Sequence, residues 1–333
     1  MMEEFPVFSI IVPFYNAEPY IEQCADSLFN QTLRDRVEWI FVNDASTDSS
    51  MERLSGVVEK LNSDCRRRIH IISHKNNLGV AEARKEGFEK SKGRYVMFCD
   101  ADDWLELDAC EILYGELMRE ESDVIVFDYV HEYKFYSCPA EEKTGSDREA
   151  MLKDIVSGRV SGSLWNKIIK AELLRKNNLI WPVGSMIEDL IVCVQVMWLA
   201  NSVRVINDRL YHYRHNSNST THNTSEHKVM ERYETYLKNI ELLCGILKNR
   251  GKENECRDGI IMRKYMAKQI LNPCLNKPGM RKKWLSTYSE INGLILKSKL
   301  FPLKQKILYL MIRCRLHSVF PALKSLKARI GLS

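Results

Sequence analysis

Four apolar runs of strand length, each cut short by polar side chains, constrain the fold of this chain more than any other feature. They are "FSIIVPFY" (residues 8–15), "VEWIFVND" (37–44), "RIHIIS" (68–73) and "YVMFCD" (95–100). Between them lie segments of helical period. The first carries Tyr20, Ile21, Cys24 and Leu28 on one face, and the second Met51, Leu54, Val57 and Leu61. The third is "NNLGVAEARKEGFEKSKG", with Gly93 in the usual place of a helix C-terminal glycine. Strands that are apolar without alternation are buried on both faces, and strand–helix–strand order makes them parallel. The expected architecture is an α/β fold with a mostly parallel central sheet and helices on both faces. Ligands of such sheets bind beyond the carboxyl ends of the strands. The polar clusters at residues 13–16, 43–48, 74–77 and 100–103 all fall there, so four strand ends present polar groups to one rim.

Downstream, "DACEILYGELMREES" reads as a helix and "DVIVFDYVHEY" as a strand, while residues 137–160 read as a polar, irregular excursion. "LWNKIIKAELLRKN" and "EDLIVCVQVMWLANS" read as helices, and "VRVINDRLYHYRHN" as one or two short strands. From about residue 225 the pattern is helical and basic. With 333 residues this gives an expected catalytic domain over 1–224, with a donor half of about 1–130 and an acceptor half of about 131–224. A helical C-terminal region over 225–333 follows.

The ten cysteines form no C-x-x-C pair, which excludes a zinc ribbon and points to reduced thiols in a cytosolic protein. The start "MMEEFPVFSIIVPFYN" lacks the basic opening of a signal peptide, and no stretch reaches the length of a membrane span. The sequons at Asn218 and Asn223 therefore carry no expectation of glycosylation. The net charge of +5 is unevenly placed: residues 291–333 hold nine Lys or Arg and no acid, and the 40 other basic residues face 44 acidic ones. The tail "LFPLKQKILYLMIRCRLHSVFPALKSLKARIGLS" mixes these cations with Leu, Ile and Phe. It reads as amphipathic helix lying on an anionic membrane, which predicts a cytoplasmic protein peripheral at the inner membrane face. Its apolar content disfavours nucleic acid, and a basic helix packed on the domain is the plainer alternative.

Asp100, Asp102 and Asp103 close a segment that reads as buried, where like charges repel and lose hydration. A cation must compensate. Neither G-x-G-x-x-G nor G-x-x-x-x-G-K-[ST] is present, which disfavours dinucleotide enzymes and P-loop hydrolases. A D-x-D pair can instead hold Mn²⁺ or Mg²⁺ through oxygen, and the metal can clamp a diphosphate. Capping of a helix explains one of the carboxylates but not three.

Taken together, "FSIIVPFYNAEPYIEQCADSLFNQT", "EWIFVNDASTDSS", "NNLGVAEARKEGFEKSKGRYVMFCDADDWLE" and the later "IEDL" resemble the family 2 glycosyltransferases of GT-A fold and bacterial surface-glycan type. The resemblance is close over residues 7–130, looser over 160–220, and absent from the last third. It implies inverting transfer of a hexosyl or hexosaminyl group from a nucleotide-diphospho-sugar, a UDP-sugar first, to a glycan or lipid-linked acceptor, with metal assistance. It also implies roles. Pro13, Tyr15 and Asn16 would line the nucleoside pocket; Asp44 would accept from the base, unless it only forms a turn. Asp100 and Asp102 would serve sugar nucleotide and metal, with Asp102 the direct ligand. Asp189 would be the general base, with Glu188 beside it, unless both only cap a helix. Where relatives read A-A-R-N, this chain reads Ala83, Arg84, Lys85 after Glu82.

"YHYRHNSNST" adds His212 as a candidate third metal ligand, against a plain strand histidine, and Arg214 with Ser217 as diphosphate holders. Trp165, with Asn166 and Lys167, reads either as acceptor wall or as core. Two other functions compete. An Asp-nucleophile phosphatase would need D-x-D-x-[TV] on the first strand, and a non-catalytic sugar-nucleotide-binding protein would keep the fold with a degenerate site.

Overall fold

The computed structural model describes residues 6–142, 147–182, 184, 186–216 and 224–316. Ser217, both sequons and residues 317–333 lie outside them. The chain divides into two compact units, residues 1–217 and 218–333.

In the first unit β1 (Phe8–Phe14), α1 (Ile21–Phe29), β2 (Val37–Asn43), α2 (Ser50–Val58), a short α3 (Ser63–Arg66), β3 (Ile69–Ser73), α4 (Val80–Lys90) and β4 (Tyr95–Phe98) follow the alternation of the sequence. The elements β5 (Trp104–Leu105), α5 (Ala109–Arg119), β6 (Val124–Glu132), β7 (Ser137–Ala140), α6 (Arg148–Ser157), β8 (Lys167–Lys170), α7 (Ala171–Lys176), α8 (Glu188–Leu199) and β9 (Val203–Arg214) complete it. The sheet order is β3-β2-β1-β4-β8-β6-β9-β5, with β7 hydrogen-bonded to β6. β1 to β4 are parallel; β8 runs against both β4 and β6, and β9 runs with β6. The carboxyl ends of β1, β2, β3, β4, β6 and β9 therefore share one rim. This is a GT-A-like α/β fold.

Three sequence expectations change. "LWNKIIKAELLRKN" holds strand β8 before α7, because its apolar residues Ile168 and Ile169 are buried on both sides between β4 and β6. The segment 137–160 holds β7 and α6 rather than irregular chain. Gly93 does not end α4, which stops at Lys90; it is glycine because an added Cβ would lie 2.5 Å from Ser9 Oγ and 2.6 Å from Ser9 N.

Pro13 sits inside β1, a central strand, although proline cannot donate to a ladder. Ile11 accepts from Cys99 on the β4 side, and the β1–β4 pairing stops at Ile11 and Phe98. Pro13 has the same parity as Ile11, so its missing N–H falls past the end of that ladder.

The second unit comprises α9 (Glu226–Asn249), α10 (Arg257–Ile270), α11 (Met280–Ser286), α12 (Asn292–Lys297) and α13 (Leu303–Arg313). Its core gathers Val229, Tyr233, Tyr265, Trp284, Ile295, Phe301, Tyr309 and Ile312. No helix among the described residues is long and apolar enough to cross a membrane.

Candidate active site

The site begins with an arginine. On α4, Ala81, Ala83, Arg84, Gly87 and Phe88 are buried. The small residues Ala81, Ala83 and Gly87 let the helix lie close to the sheet, where a Cβ on Gly87 would collide with Ile11. Arg84 is carried inward with them, its side chain 4% exposed. Its Nη2 donates to Asp100 Oδ1 at 2.7 Å, and its Nη1 meets Asp189 and, at 3.5 Å, Glu188 Oε1. Burial disfavours the guanidinium charge, but Asp189, Asp100 and Glu188 outweigh it and raise its pKa.

Asp100 comes from the rim just past β4; Glu188 and Asp189 open α8, where the helix dipole favours them. Ile187, directly ahead, adopts φ 57°, a left-handed conformation costly for a β-branched residue. Asp189 Oδ2 also accepts from Leu164 N at 3.2 Å, so both its oxygens are oriented. Burial raises the pKa of Asp189, opposed by Arg84; burial and then the Asp189 charge raise that of Glu188.

Asp102 and Asp103 lie between β4 and β5, and β5 is pinned to β9 by the pairs Trp104–His212 and Leu105–Tyr211. Asp103 is built into this frame: it accepts from Tyr211 Oη and from Arg214 N, each at 2.7 Å. Tyr211 Oη also accepts from Asp100 N at 3.1 Å. Asp102 is compensated less. Arg214 donates from Nε to the Asp102 carbonyl at 2.8 Å and from Nη2 to Gln23 at 2.5 Å, while its guanidinium lies 4.7 Å above the Trp104 ring and 5.2 Å from that of Tyr20. Burial, and then the Asp100 charge, push the Asp102 carboxyl up to about 6.

At the other end of the rim the loops after β1 and β2 lace together. Asn16 Oδ1 accepts from Thr47 N at 2.8 Å, and Ala17 N donates to Ser50 Oγ at 2.8 Å. Tyr15 is 48% exposed and free to stack. Asp44 departs from expectation. Its Oδ1 accepts from Leu78 N at 2.7 Å and lies 2.7 Å from His74 Nδ1, and its Oδ2 accepts from Gly79 N at 2.8 Å. Both oxygens serve the fold, so Asp44 anchors the entry to α4 rather than presenting a free acceptor to a base. Asn16 likewise spends its side-chain oxygen on the loop, and Pro13 is buried within β1.

Other assignments change too. His212 lies 2.8 Å from Glu132 through Nδ1 and 2.8 Å from Glu106 through Nε2, with its ring stacked on Trp104. With both nitrogens engaged it is a strand histidine, not a metal ligand. Trp165 is buried and stacked 4.6 Å from Tyr211, so it is core. Asn166 and Lys167 are also internal: Lys167 Nζ donates to Ser161 O, Ser163 O and Asn166 Oδ1, which fixes the loop leading to Leu164. No group of three His, Cys, Asp or Glu among the described residues is arranged to hold a metal. The donor set nevertheless suits Mg²⁺ or Mn²⁺, which bind through one or two carboxylates with the remaining ligands from phosphates and water. The raised pKa of Asp102 marks a carboxylate short of positive charge.

Arg84, Tyr211 and Trp104 carry no site role in the sequence pattern, although Asp103 stands there among the rim carboxylates. For Arg84 a signal existed: residues 81, 84 and 88 share a helical face, which places the arginine inward.

A mixed sheet with acidic side chains gathered at the carboxyl rim defines a nucleotide-sugar transferase-like class of fold. Residues 9–159 match the model of the family described as Glycosyl transferase family 2, so this segment of the chain is similar to members of that family. The chain is 32% identical over 222 residues to the EpsH protein of Bacillus subtilis, an alignment spanning 63% of this chain and 61% of that protein. It is 31% identical to EpsJ of the same organism, spanning 65% of this chain and 63% of EpsJ. The match thus spans less than two thirds of either relative. A cholesterol galactosyltransferase of Borreliella burgdorferi is 29% identical, over 75% of this chain and 70% of its own. The structure of S. aureus TarS 1-349 in complex with UDP-GlcNAc has the same fold, with TM-score 0.60, 20% identity, and 97% of this chain and 92% of that chain covered.

Proposed function

We propose that this protein transfers a sugar from a nucleotide-diphospho-sugar, UDP-linked, to a hydroxyl of a glycan or lipid-linked acceptor with inversion. The observation that carries this reading is the convergence on Arg84 of Asp100, from the strand-end D-x-D, and Asp189, from α8. Inverting transfer needs a base beside the acceptor hydroxyl and charge neutralisation beside the leaving diphosphate. Asp189 serves as the base: Arg84 and the Leu164 amide orient its oxygens, and burial shifts its affinity for a proton upward. Arg214, preoriented by Trp104, Tyr20 and Gln23, faces the diphosphate, and Tyr15 stacks on the nucleobase. A divalent cation, Mn²⁺ or Mg²⁺, would be held by Asp102 with Asp100 and would neutralise charge on the departing diphosphate. The curated relatives' glycosyltransferase and galactosyltransferase names and the UDP-GlcNAc held by TarS support this reading. The phosphatase alternative loses support, because β1, "FSIIVPF", carries no aspartate.

A thermal-shift panel of nucleotide-sugars with and without Mn²⁺, followed by turnover of the best donor, tests the proposal. A UDP-sugar should raise the melting temperature most when metal is present. A panel in which no nucleotide-sugar shifts melting removes the reading.

We further propose that the basic C-terminal region meets an anionic membrane. On α13 the exposed Leu303, Ile307 and Leu310 form one stripe flanked by Lys304 and Lys306, while Tyr309 and Ile312 face the core. Deleting the helix would remove core residues, so the test is Ile307→Glu with Leu310→Glu. These changes should abolish flotation with phosphatidylglycerol vesicles and leave melting unchanged; undiminished flotation rejects the assignment.

A further inference from the structure

A strip of aromatic rings leads away from the carboxylates. On one face of the paired strands β6 and β9, Tyr129 pairs with Tyr211 and His131 with Tyr213. Trp165 stacks on Tyr211 at 4.6 Å and on Tyr213 at 5.4 Å. Tyr213 meets His215 edge-on at 5.1 Å, and His215 lies flat on Tyr133 with centroids 4.0 Å apart and planes 4° apart. Tyr133 in turn stacks on Tyr136 at 4.6 Å. The β6–β7 hairpin tip is closed by Tyr133 N donating to Tyr136 O at 2.9 Å. The stack therefore starts at Tyr211, whose hydroxyl touches Asp103, and ends on Tyr136, which is 62% exposed, beside Phe135 at 87%.

We propose that Tyr136 and Phe135, at the hairpin tip, form a subsite that stacks a pyranose ring of the acceptor glycan. This rests on the glycosyl-transfer reading and adds a location to it. The ring stack is held in place by His215 and Tyr133 before any ligand arrives, and two largely exposed aromatic rings stand at its end. A pyranose offers the complement: a face of C–H groups for the negative face of an aromatic ring, and an edge of hydroxyls for polar groups. His131 and His215, 2.9 Å apart, and Lys134, 5.3 Å from the Phe135 ring, supply such groups nearby. β6 and β9 deliver the tip to the same rim as Asp100, which favours a glycan reaching from the site over an unrelated partner. The four residue steps from Tyr211 to His215 span about 13 Å at strand rise. The subsite therefore takes a sugar removed from the reacting one, and oligosaccharides gain from it where monosaccharides do not.

The test uses the full chain with UDP and Mn²⁺, and saturation-transfer NMR with methyl glucoside, cellotetraose and chitotetraose as probes. At least one tetrasaccharide should bind the wild type. Tyr136→Ala with Phe135→Ala should weaken it roughly fivefold to tenfold, on the scale of one aromatic contact. Nucleotide affinity, melting and methyl glucoside binding should not move, and Tyr136→Trp should keep or tighten binding. Equal tetrasaccharide affinity in the double variant, or no tetrasaccharide binding by the wild type, overturns the proposal. So does gel filtration showing that the double variant breaks a wild-type dimer, which assigns the face to a second copy of the chain. Failure of the transfer reading looks different: no nucleotide-sugar shifts melting while tetrasaccharide still saturates from Tyr136.

Discussion

Arg84 and Arg214 each stand among carboxylates at the same rim, yet they meet them differently. Arg84 spends its two terminal nitrogens on the side chains of Asp100, Glu188 and Asp189. Arg214 touches Asp102 only through a main-chain carbonyl and Asp103 only through its own amide, and its guanidinium lies on aromatic rings and Gln23. Among the described residues no cationic side chain pairs with the Asp102 or Asp103 carboxylate. The first cluster has a cation built into it by the chain and acts as a fixture. The second has no cationic side chain paired with its carboxylates, and a divalent cation at a ligand rim can supply that charge.

The comparison breaks most readily at Arg84. Arg84→Met leaves three carboxylates without their cation and should cost about 3–5 kcal/mol of stability in urea unfolding, the usual loss when one partner of a buried ion pair is removed. Arg84→Lys should recover part of it, because one ammonium cannot reproduce the fork. A variant as stable as wild type would show that water already compensates the cluster.

Asp189→Asn keeps one acceptor oxygen, enough for Arg84 or for Leu164 N but not both, and removes the proposed base. Turnover should fall at least about 10²-fold with donor affinity nearly unchanged, since general-base catalysis contributes on that scale. Early melting with normal turnover would make Asp189 a cap and turn attention to Glu188.

Asp102→Asn sharpens the contrast through pH. The carboxyl titrates at about 6 in the folded chain, above the value of about 4 in an unfolded one. Its burial penalty is absent below about pH 4, grows as pH rises toward about 6 and is constant above. The variant should therefore be more stable than wild type at pH 7.5, by about 1–2 kcal/mol after allowing for screening, and equal to it at pH 4. It should also lose metal-dependent nucleotide-sugar binding. Unchanged melting at both pH values would mean the charge is already compensated.

The smallest effect belongs to His74, 2.7 Å from Asp44 and 2.6 Å from Glu86, a weaker version of the Arg84 arrangement. Burial lowers its pKa, but the two carboxylates outweigh this and raise it. Its stabilisation is full below the unfolded value of about 6.5 and fades as pH rises through the folded one. His74→Gln should flatten the melting curve against pH in that window by about 1 kcal/mol.

The continuous apolar runs and helical periods determined the β1–β4 core and its helices, because burial on both faces leaves no polar alternation to hide the strands. Strand-end position likewise marked Asp100 and Asp102, and the family resemblance of "IEDL" marked Glu188 and Asp189. Local pattern failed at β8, whose four residues before α7 read as one helix, since so short an apolar run has no period of its own. It also failed to separate Asp102 from Asp103: adjacent in sequence, one is tied to Tyr211 and Arg214 and the other is left short of charge. Sequence alone set which carboxylates reach the rim. Which of them the chain pairs with a cation, and which it leaves without one, was decided by residues 16 to 112 positions away, brought there by the crossing of α4, α8 and β9. Electrostatic compensation depends on distance in space, which sequence separation does not encode.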